Sequence, residues 1–280
     1  MRVIALLATY NEERFIDACV ENLVSQGIEV YLIDNESTDR TLELAQRHVG
    51  NGIVGIETFP RDGTYRWRAI LERKEQLADE LDADWFMHLD TDEIRLPPRA
   101  DTTLAEAFAE LDGRGYNAVN FSEFTFMPTQ EAPDHDHGRF QETMRWYYPY
   151  KTNSPHGLKA WRKPVRSTRR LTLPLIAGRR ETARIAWSGG HRVRFRGLRA
   201  YPHSFRMRHY LFLSIPHAIE KYVERRYDAE EVDSGWHQWR ARVTASALRL
   251  PSTSELRPYE SDDLLDPSDP RRQHYVGQWL

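Results

Sequence analysis

The stretch Asp84–Ile94, DWFMHLDTDEI, decides how the rest of the chain is read. Trp85, Phe86, Met87 and Leu89 form an apolar run with the length and aromatic content of a short buried strand, and it ends in three acids, Asp90, Asp92 and Glu93. Carboxylates this close repel one another, so Asp90 and Asp92 at a strand end call for a cation or a donor between them. A hard divalent ion meets that need: Mg²⁺ or Mn²⁺ takes oxygen ligands and shares one or two protein carboxylates with a substrate's phosphates. The competing reading is a solvated acidic turn; the position after a buried strand, and what lies upstream, favour the metal.

Upstream, strands alternate with helices. Arg2–Thr9 (RVIALLAT) is an apolar run suited to a strand buried on both faces. Glu12–Gln26 carries Phe15, Ile16, Cys19, Val20, Leu23 and Val24 at helical spacing, with Gly27 just after. Glu29–Asp34 is a second strand, Thr41–His48 a short helix, Ile53–Thr58 a third strand and Tyr65–Leu81 a long helix. This order predicts an α/β fold with a mostly parallel sheet and right-handed crossovers. Ligands of such sheets bind beyond the carboxyl ends of the strands, where Thr9–Glu12, Asp34–Asp39 and Asp90–Glu93 would all lie.

A dinucleotide-binding oxidoreductase needs a glycine-rich turn after the first strand, and this chain has ATYNEE there; the P-loop pattern is missing as well. What remains is a nucleotide site with Asp34 accepting from a base or ribose, and a diphosphate held through a metal on Asp90 and Asp92.

Three stretches, ATYNEE at 8–13, LIDNESTDRT at 32–41 and WFMHLDTDEI at 85–94, resemble the signatures of the family 2 glycosyltransferases, which have the GT-A fold. The resemblance implies a nucleoside diphosphate sugar donor, a Mn²⁺ or Mg²⁺ cofactor, inversion at the transferred carbon, and residue roles. Thr9, Tyr10 and Glu12 would line the nucleotide pocket; Asp34 would contact the base, with Asn35 and Asp39 shaping the next loop. Asp90 and Asp92 would be the metal-binding D-x-D, and Arg68 a partner of the base or diphosphate, or else a surface arginine. The stretch PHSFRMRHYLFLS at 202–214 resembles bacterial family 2-like proteins in its His-Tyr followed by a helix-opening Ser214. A histidine from this half is implied as a third metal ligand, His191 first and His209 second, against a structural role for each.

The second half is less regular. Asp101–Leu111 reads as a helix and Tyr116–Phe126 as a strand on the acceptor side. Pro128–Gly138 (PTQEAPDHDHG) reads as an active-site lid or acceptor loop; its Asp134, His135, Asp136 and His137 lack the spacing of a zinc site. An inverting enzyme needs a base for the acceptor hydroxyl. Glu181 is the only acid between Thr143 and Ile219, so Asp136, Glu93 and Glu142 are the candidates, with Asp136 preferred. Arg145–Tyr150 and Lys159–Trp161 offer aromatics and cations for sugar or phosphate. Trp187–Phe195 reads as a hairpin strand, and Ser214 as the cap of a helix burying Ala218, Ile219, Tyr222 and Val223. Val243–Leu250 would finish a helix begun near Trp236, Pro251–Pro270 would be a loose tail, and residues 273–280 would dock back. The expected organisation is a nucleotide-sugar-binding core over 1–126, an acceptor-side region over 127–250 and a tail over 251–280.

Composition bounds these readings. The 280 residues are 40% hydrophobic and 29% charged, with no apolar run long enough to span a bilayer; the amino-terminal run lacks a small-residue cleavage site and reads as a first strand. The single Cys19 suits a reducing cytoplasm. The net charge of −3 hides an asymmetry: residues 1–100 hold 11 Lys+Arg against 20 Asp+Glu, whereas residues 151–226 hold 19 against 3. Such a basic segment attracts diphosphates or anionic lipid, which leaves peripheral contact with the inner membrane face open. Nucleic acid is disfavoured, because no zinc-finger spacing or RNP-like motif occurs. A glycan, a lipid-linked or a small-molecule acceptor all fit. Two other classes stand beside the transferase: a sugar nucleotidyltransferase, which would need a glycine-rich basic loop where ATYNEE stands, and a non-catalytic nucleotide- or glycan-binding relative, which the intact acid pair argues against.

Overall fold

In the first strand, β1 (Val3–Thr9), Val3, Ala5 and Leu7 join one apolar cluster while Ile4 and Leu6 join another. The period-2 alternation of a strand therefore serves two buried faces, as in a sheet covered on both sides. The computed structural model describes residues 1–151, 158–164, 182–237 and 239–278. Around β1 the chain runs α1 (Ile16–Ser25), β2 (Glu29–Asp34), α2 (Thr41–Gln46), β3 (Ile53–Thr58), α3 (Trp67–Glu80) and β4 (Trp85–Leu89). β1 pairs in parallel with β2 and β4, and β2 with β3, giving the spatial order β3-β2-β1-β4. All four carboxyl ends thus reach one edge. Trp85 packs flat on Phe108, centroids 5.0 Å apart, closing one face of the core.

Beyond β4 the sheet becomes mixed. The chain continues through β5 (Glu93–Leu96), α4 (Leu104–Gly113), β6 (Ala118–Phe126), α5 (Phe140–Thr143), β7 (Trp146–Tyr150), β8 (Leu158–Arg162), β9 (Phe205–Tyr210), α6 (Ile215–Ala218), α7 (Ala229–Asp233), β10 (Arg257–Pro258) and α8 (Tyr275–Gln278). α4 starts with a reciprocal cap between Thr103 and Glu106. β8 joins β4 and β6 antiparallel, and β7 extends the sheet to β10. β9 lies between β5, antiparallel, and β6, parallel. As expected, the Ser214 side chain caps α6, and a wider π turn over Ile219–Val223 follows with Ala218 and Tyr222 buried.

Three expectations change. Trp187–Phe195 is not a strand: Ala186–Ser188 forms a 3₁₀ turn, and Gly189 and Gly190 follow at φ +68° and +83°, turning the chain where a strand would need it extended. A single bridge joins Arg184 to Arg194. The helix expected over Trp236–Leu250 is two 3₁₀ turns, Arg240–Arg242 and Ala245–Ala247. Pro251–Pro270 is not a loose tail, since β10 pairs with β7 there; beyond it the chain docks back as expected, with Arg271 bridging to Tyr150 and Tyr275 and Val276 buried. Glu181 and the arginines within 165–181 lie outside the described residues. Among the described residues no helix is long and apolar enough to cross a membrane.

Candidate active site

β9 is the element that assembles the site. Its residue His209 stands opposite Glu93 of β5 on one side and Thr125 of β6 on the other. The ring consequently reaches two acids: Nε2 is 3.3 Å from Asp92 Oδ2, and Nδ1 is 2.6 Å from Glu123 Oε1. The π turn adds a cation, since Lys221 Nζ donates to Asp92 Oδ2 at 2.6 Å and lies 3.8 Å from Glu12 Oε1, with Arg225 4.0 Å from the same oxygen.

Burial and charge compete strongly here. Burial disfavours the charged form of Asp92, yet Lys221 and His209 hold its carboxyl far below the usual range. His209 is correspondingly raised to about 10 against the effect of burial, by Asp92 and Glu123, and Glu123 is lowered to about 2, chiefly by His209. Glu12 goes the other way, to about 7, because burial outweighs Lys221. Asp90 is raised by burial and by Glu93. Glu93 itself pairs with Arg95, takes Lys159 Nζ at 2.6 Å and accepts from the Asp90 backbone N–H at 3.1 Å. Beneath them Lys74 is fully buried, its Nζ 2.9 Å from His88 Nδ1, and burial brings its ammonium down to about 8.

Two cavities meet at these groups. The smaller, about 70 Å³, opens at the ends of β1 and β2 and is lined by Thr9, Tyr10, Glu12, Asn35, Asp90 and Asp92, with Lys221 and Arg225. The larger, about 410 Å³, is walled by aromatic and histidine side chains together with Asp90, Glu93 and Glu123. Tyr65, Trp67, Asp90, His209 and Arg240 line both.

The residues singled out in the sequence are distributed as follows. Thr9, Tyr10, Glu12 and Asn35 line the smaller cavity. Asp34 is buried beside it, taking the Thr9 hydroxyl at 3.5 Å and the Ser37 backbone N–H at 3.1 Å. Asp39 accepts from the backbone N–H groups of Glu13 and Thr41, so it pins the loop between β2 and α2. Arg68 is exposed and lines neither cavity; its guanidinium lies 5.0 Å over Trp236. Arg61 instead stacks 3.5 Å over the Tyr10 ring and donates to Asn35 Oδ1. Of the base candidates, Glu93 lines the larger cavity, whereas Asp136 and Glu142 are exposed and line neither. His191 lines the larger cavity but has no described contact with Asp90 or Asp92; His209 reaches Asp92.

Sequence reasoning missed Glu123, Lys221, Arg225, Arg240 and His274. Two signals were present: Glu123 is the one acid in an otherwise apolar and neutral strand, and Lys221 and Arg225 are four apart after a helix cap, on one face of a turn. His274 had none, since α8 delivers it from the far end of the chain: Nδ1 is 2.8 Å from the Tyr148 hydroxyl, the ring stacks on Tyr150, and Nε2 is 3.7 Å from Glu123 Oε1. Glu123, His209 and His274 offer ligand atoms within 4.8 Å of one another.

The donor set also fits a divalent cation at the acid pair. Asp92 Oδ1 and Glu12 Oε2 are buried with no hydrogen-bond partner among the described residues, and Asp90 faces both cavities. Oxygen donors suit Mn²⁺ or Mg²⁺, and the His209 imidazole would join them through Nε2 only as the neutral ring, giving up the proton it directs at Asp92. The Glu123 contact to Nδ1 orients the His209 ring, as carboxylates behind metal-bound histidines do.

A family model described as glycosyl transferase family 2 matches residues 5–152. Among solved structures the chain is similar to S. aureus TarS at 20% identity and a TM-score of 0.36, covering 58% of this chain and 28% of that one. It is also similar to glucosyl-3-phosphoglycerate synthase from Mycobacterium tuberculosis, solved with Mn²⁺, uridine diphosphate and phosphoglyceric acid, at 19% identity and a TM-score of 0.31, covering 44% and 43%. The chain spans less than half the length of either. No curated protein matches it.

Proposed function

The chain belongs to glycosyl transferase family 2, and from that premise we propose that it transfers a sugar from a nucleoside diphosphate sugar to an acceptor hydroxyl, with inversion. The observation that carries this reading is the meeting of two cavities at Asp90: one at the strand ends for a nucleotide, one beside Glu123 for an acceptor.

In this reading Thr9, Tyr10, Asn35 and Arg61 hold the nucleoside, with Asp34 and Asp39 fixing the loop around it. Asp90, Asp92 and His209 would hold Mg²⁺ or Mn²⁺, which when bound supplies positive charge to the leaving diphosphate. Lys221, Arg225 and Arg240 face the same place and add fixed positive charge as the bond breaks. The acceptor oxygen bonds to the anomeric carbon, the bond from that carbon to the diphosphate breaks with its electron pair on the diphosphate, and the acceptor proton passes to a carboxylate. We assign that proton to Glu123, which lines the acceptor cavity; the charged His209 ring 2.6 Å away holds its carboxyl at about 2, so it would become a competent base only once that ring is neutral. Glu93 is committed to Arg95 and Lys159, and Asp136 and Glu142 would have to be carried in on their loop. A reducing cytoplasmic setting suits the single, buried Cys19 thiol.

The test is a thermal-shift screen of nucleoside diphosphates and their sugars, with and without Mn²⁺, on the wild type and on Asp92→Asn. Ligand that binds the folded state raises the melting temperature. A metal-dependent shift for one nucleotide, lost in the variant, is the expected result; no shift for any nucleotide sinks the proposal.

A further inference from the structure

We propose that the larger cavity is built for a neutral, unphosphorylated pyranoside of one or two rings as acceptor, and not for a phosphorylated or lipid-phosphate acceptor. This rests on the transferase reading for its purpose, though the binding it claims can be measured without it.

Size is the first argument. About 410 Å³ lies at the low end of the ~300–1,000 Å³ typical of small-molecule sites, enough for a ring or two and short for a long chain.

The wall is the second. Trp67, Tyr150, Trp187, Trp236 and Trp239 all line it. A pyranose has an apolar C–H face and a rim of hydroxyls, and Trp and Tyr combine an apolar face with a polar edge in the same way. Trp187 is 45% exposed, yet it is fixed: its indole N–H donates to the Arg184 carbonyl at 3.2 Å, and the Arg194 guanidinium lies 4.8 Å over its ring. An exposed indole anchored at the wall of a polar cavity is a preformed stacking platform. His191, Ser188 and His237 also line the cavity, the last two already bonded to Arg192 and Glu231.

Charge is the third, and it separates the acceptor classes. Phosphate recognition needs cations free to give charge-assisted hydrogen bonds. Of the described lysines and arginines in the basic segment 151–226, Lys159 alone lines this cavity, and it is paired with Glu93 at 2.6 Å. Arg240 lies where the two cavities join, and Lys221 and Arg225 line only the nucleotide side. Asp90, Glu93 and Glu123 face the same space. Among the described residues, then, the cations of this segment that line the two cavities are Lys221 and Arg225 on the nucleotide side and only the already paired Lys159 on the acceptor side.

The experiment titrates the full chain by calorimetry with methyl glucoside, methyl galactoside, N-acetylglucosamine, cellobiose and chitobiose. Glucose 6-phosphate, glycerol 3-phosphate and detergent-solubilised undecaprenyl phosphate form the opposing set. We expect a neutral saccharide to bind, and Trp187→Ala to weaken it about tenfold while Trp187→Phe restores most of the loss and the nucleoside diphosphate thermal shift stays in both. Failure of every neutral saccharide to bind, equal binding by Trp187→Ala, or tighter binding by a phosphorylated compound would each overturn the proposal. Saccharide binding without any nucleotide shift in the wild type overturns the transferase reading alone, so the two can fail separately.

Discussion

Lys221 Nζ stands 2.6 Å from Asp92 Oδ2 and 3.8 Å from Glu12 Oε1, so a cation fixed to the chain sits where two buried acids meet. Removing one partner of a buried pair leaves the other uncompensated, at a cost of about 3 kcal/mol. Lys221→Met is expected to lose that much stability and to recover part of it in Mn²⁺, because the ion then has Asp92 without competition. Urea unfolding with and without Mn²⁺ reads both effects. A variant as indifferent to Mn²⁺ as to Na⁺ would show that Asp92 is not a metal ligand.

The Glu123–His209 pair sets a pH window. Glu123 is lowered from 4.5 to about 2, so its contribution is present above pH 4.5 and lost as pH falls toward 2. His209 is raised from 6.5 to about 10, so its contribution is present below pH 6.5 and lost as pH rises toward 10. The two shifts share the Glu123–His209 contact, to which the His209 rise adds a larger part from Asp92; the shared contact is on the order of 3 kcal/mol or less. Stability should peak between about pH 4.5 and 6.5 from this source. Glu123→Gln should flatten the acid limb and keep part of the alkaline one through Asp92. An unchanged acid limb would mean the pair is not formed in solution.

Lys74 has the opposite sign. Its ammonium is brought from 10.5 to about 8 by burial, so it opposes folding below pH 8 and stops doing so as pH rises to 10.5. Lys74→Met should stabilise the protein at pH 7 by roughly 1–3 kcal/mol, with the gain shrinking toward pH 10.5. Destabilisation at pH 7 would instead mark the contact with His88 as needed.

Gly190 tests the wall of the larger cavity. At φ +83° a side chain is strained, and a Cβ there would stand 2.6 Å from His88 Nε2. Gly190→Ala should cost about 1–3 kcal/mol and weaken saccharide binding more than nucleotide binding. Calorimetry on both ligands checks the split.

Which parts of this were legible follows from how each was built. β1 and β4 could be read because burial on both faces leaves apolar runs, and β2 and β3 because they alternate with helices at short spacing, so those runs and Asp90 with Asp92 at an end were enough. Glu123 meets His209 across 86 positions and Asp92 meets Lys221 across 129, distances at which local pattern carries no information. Trp187–Phe195 misled because Val193 and Phe195 alternate like a strand, while two left-handed glycines just before them bend the path. Asp136 drew attention as an acid in a functional-looking loop, and its exposure could be known only once the loop was placed.

The late arrival of β9, the π turn and His274 also bears on how the protein is made. As the ribosome releases the chain, β1 through β4 can pair at once, but Asp92 must wait for Lys221, 129 positions later, and Tyr148 for His274, 126 positions later. Until then the nascent chain holds a nearly finished sheet with acids that lack their cations. The strands that carry Asp92 and Tyr148 are thus laid down well before the residues that complete their contacts.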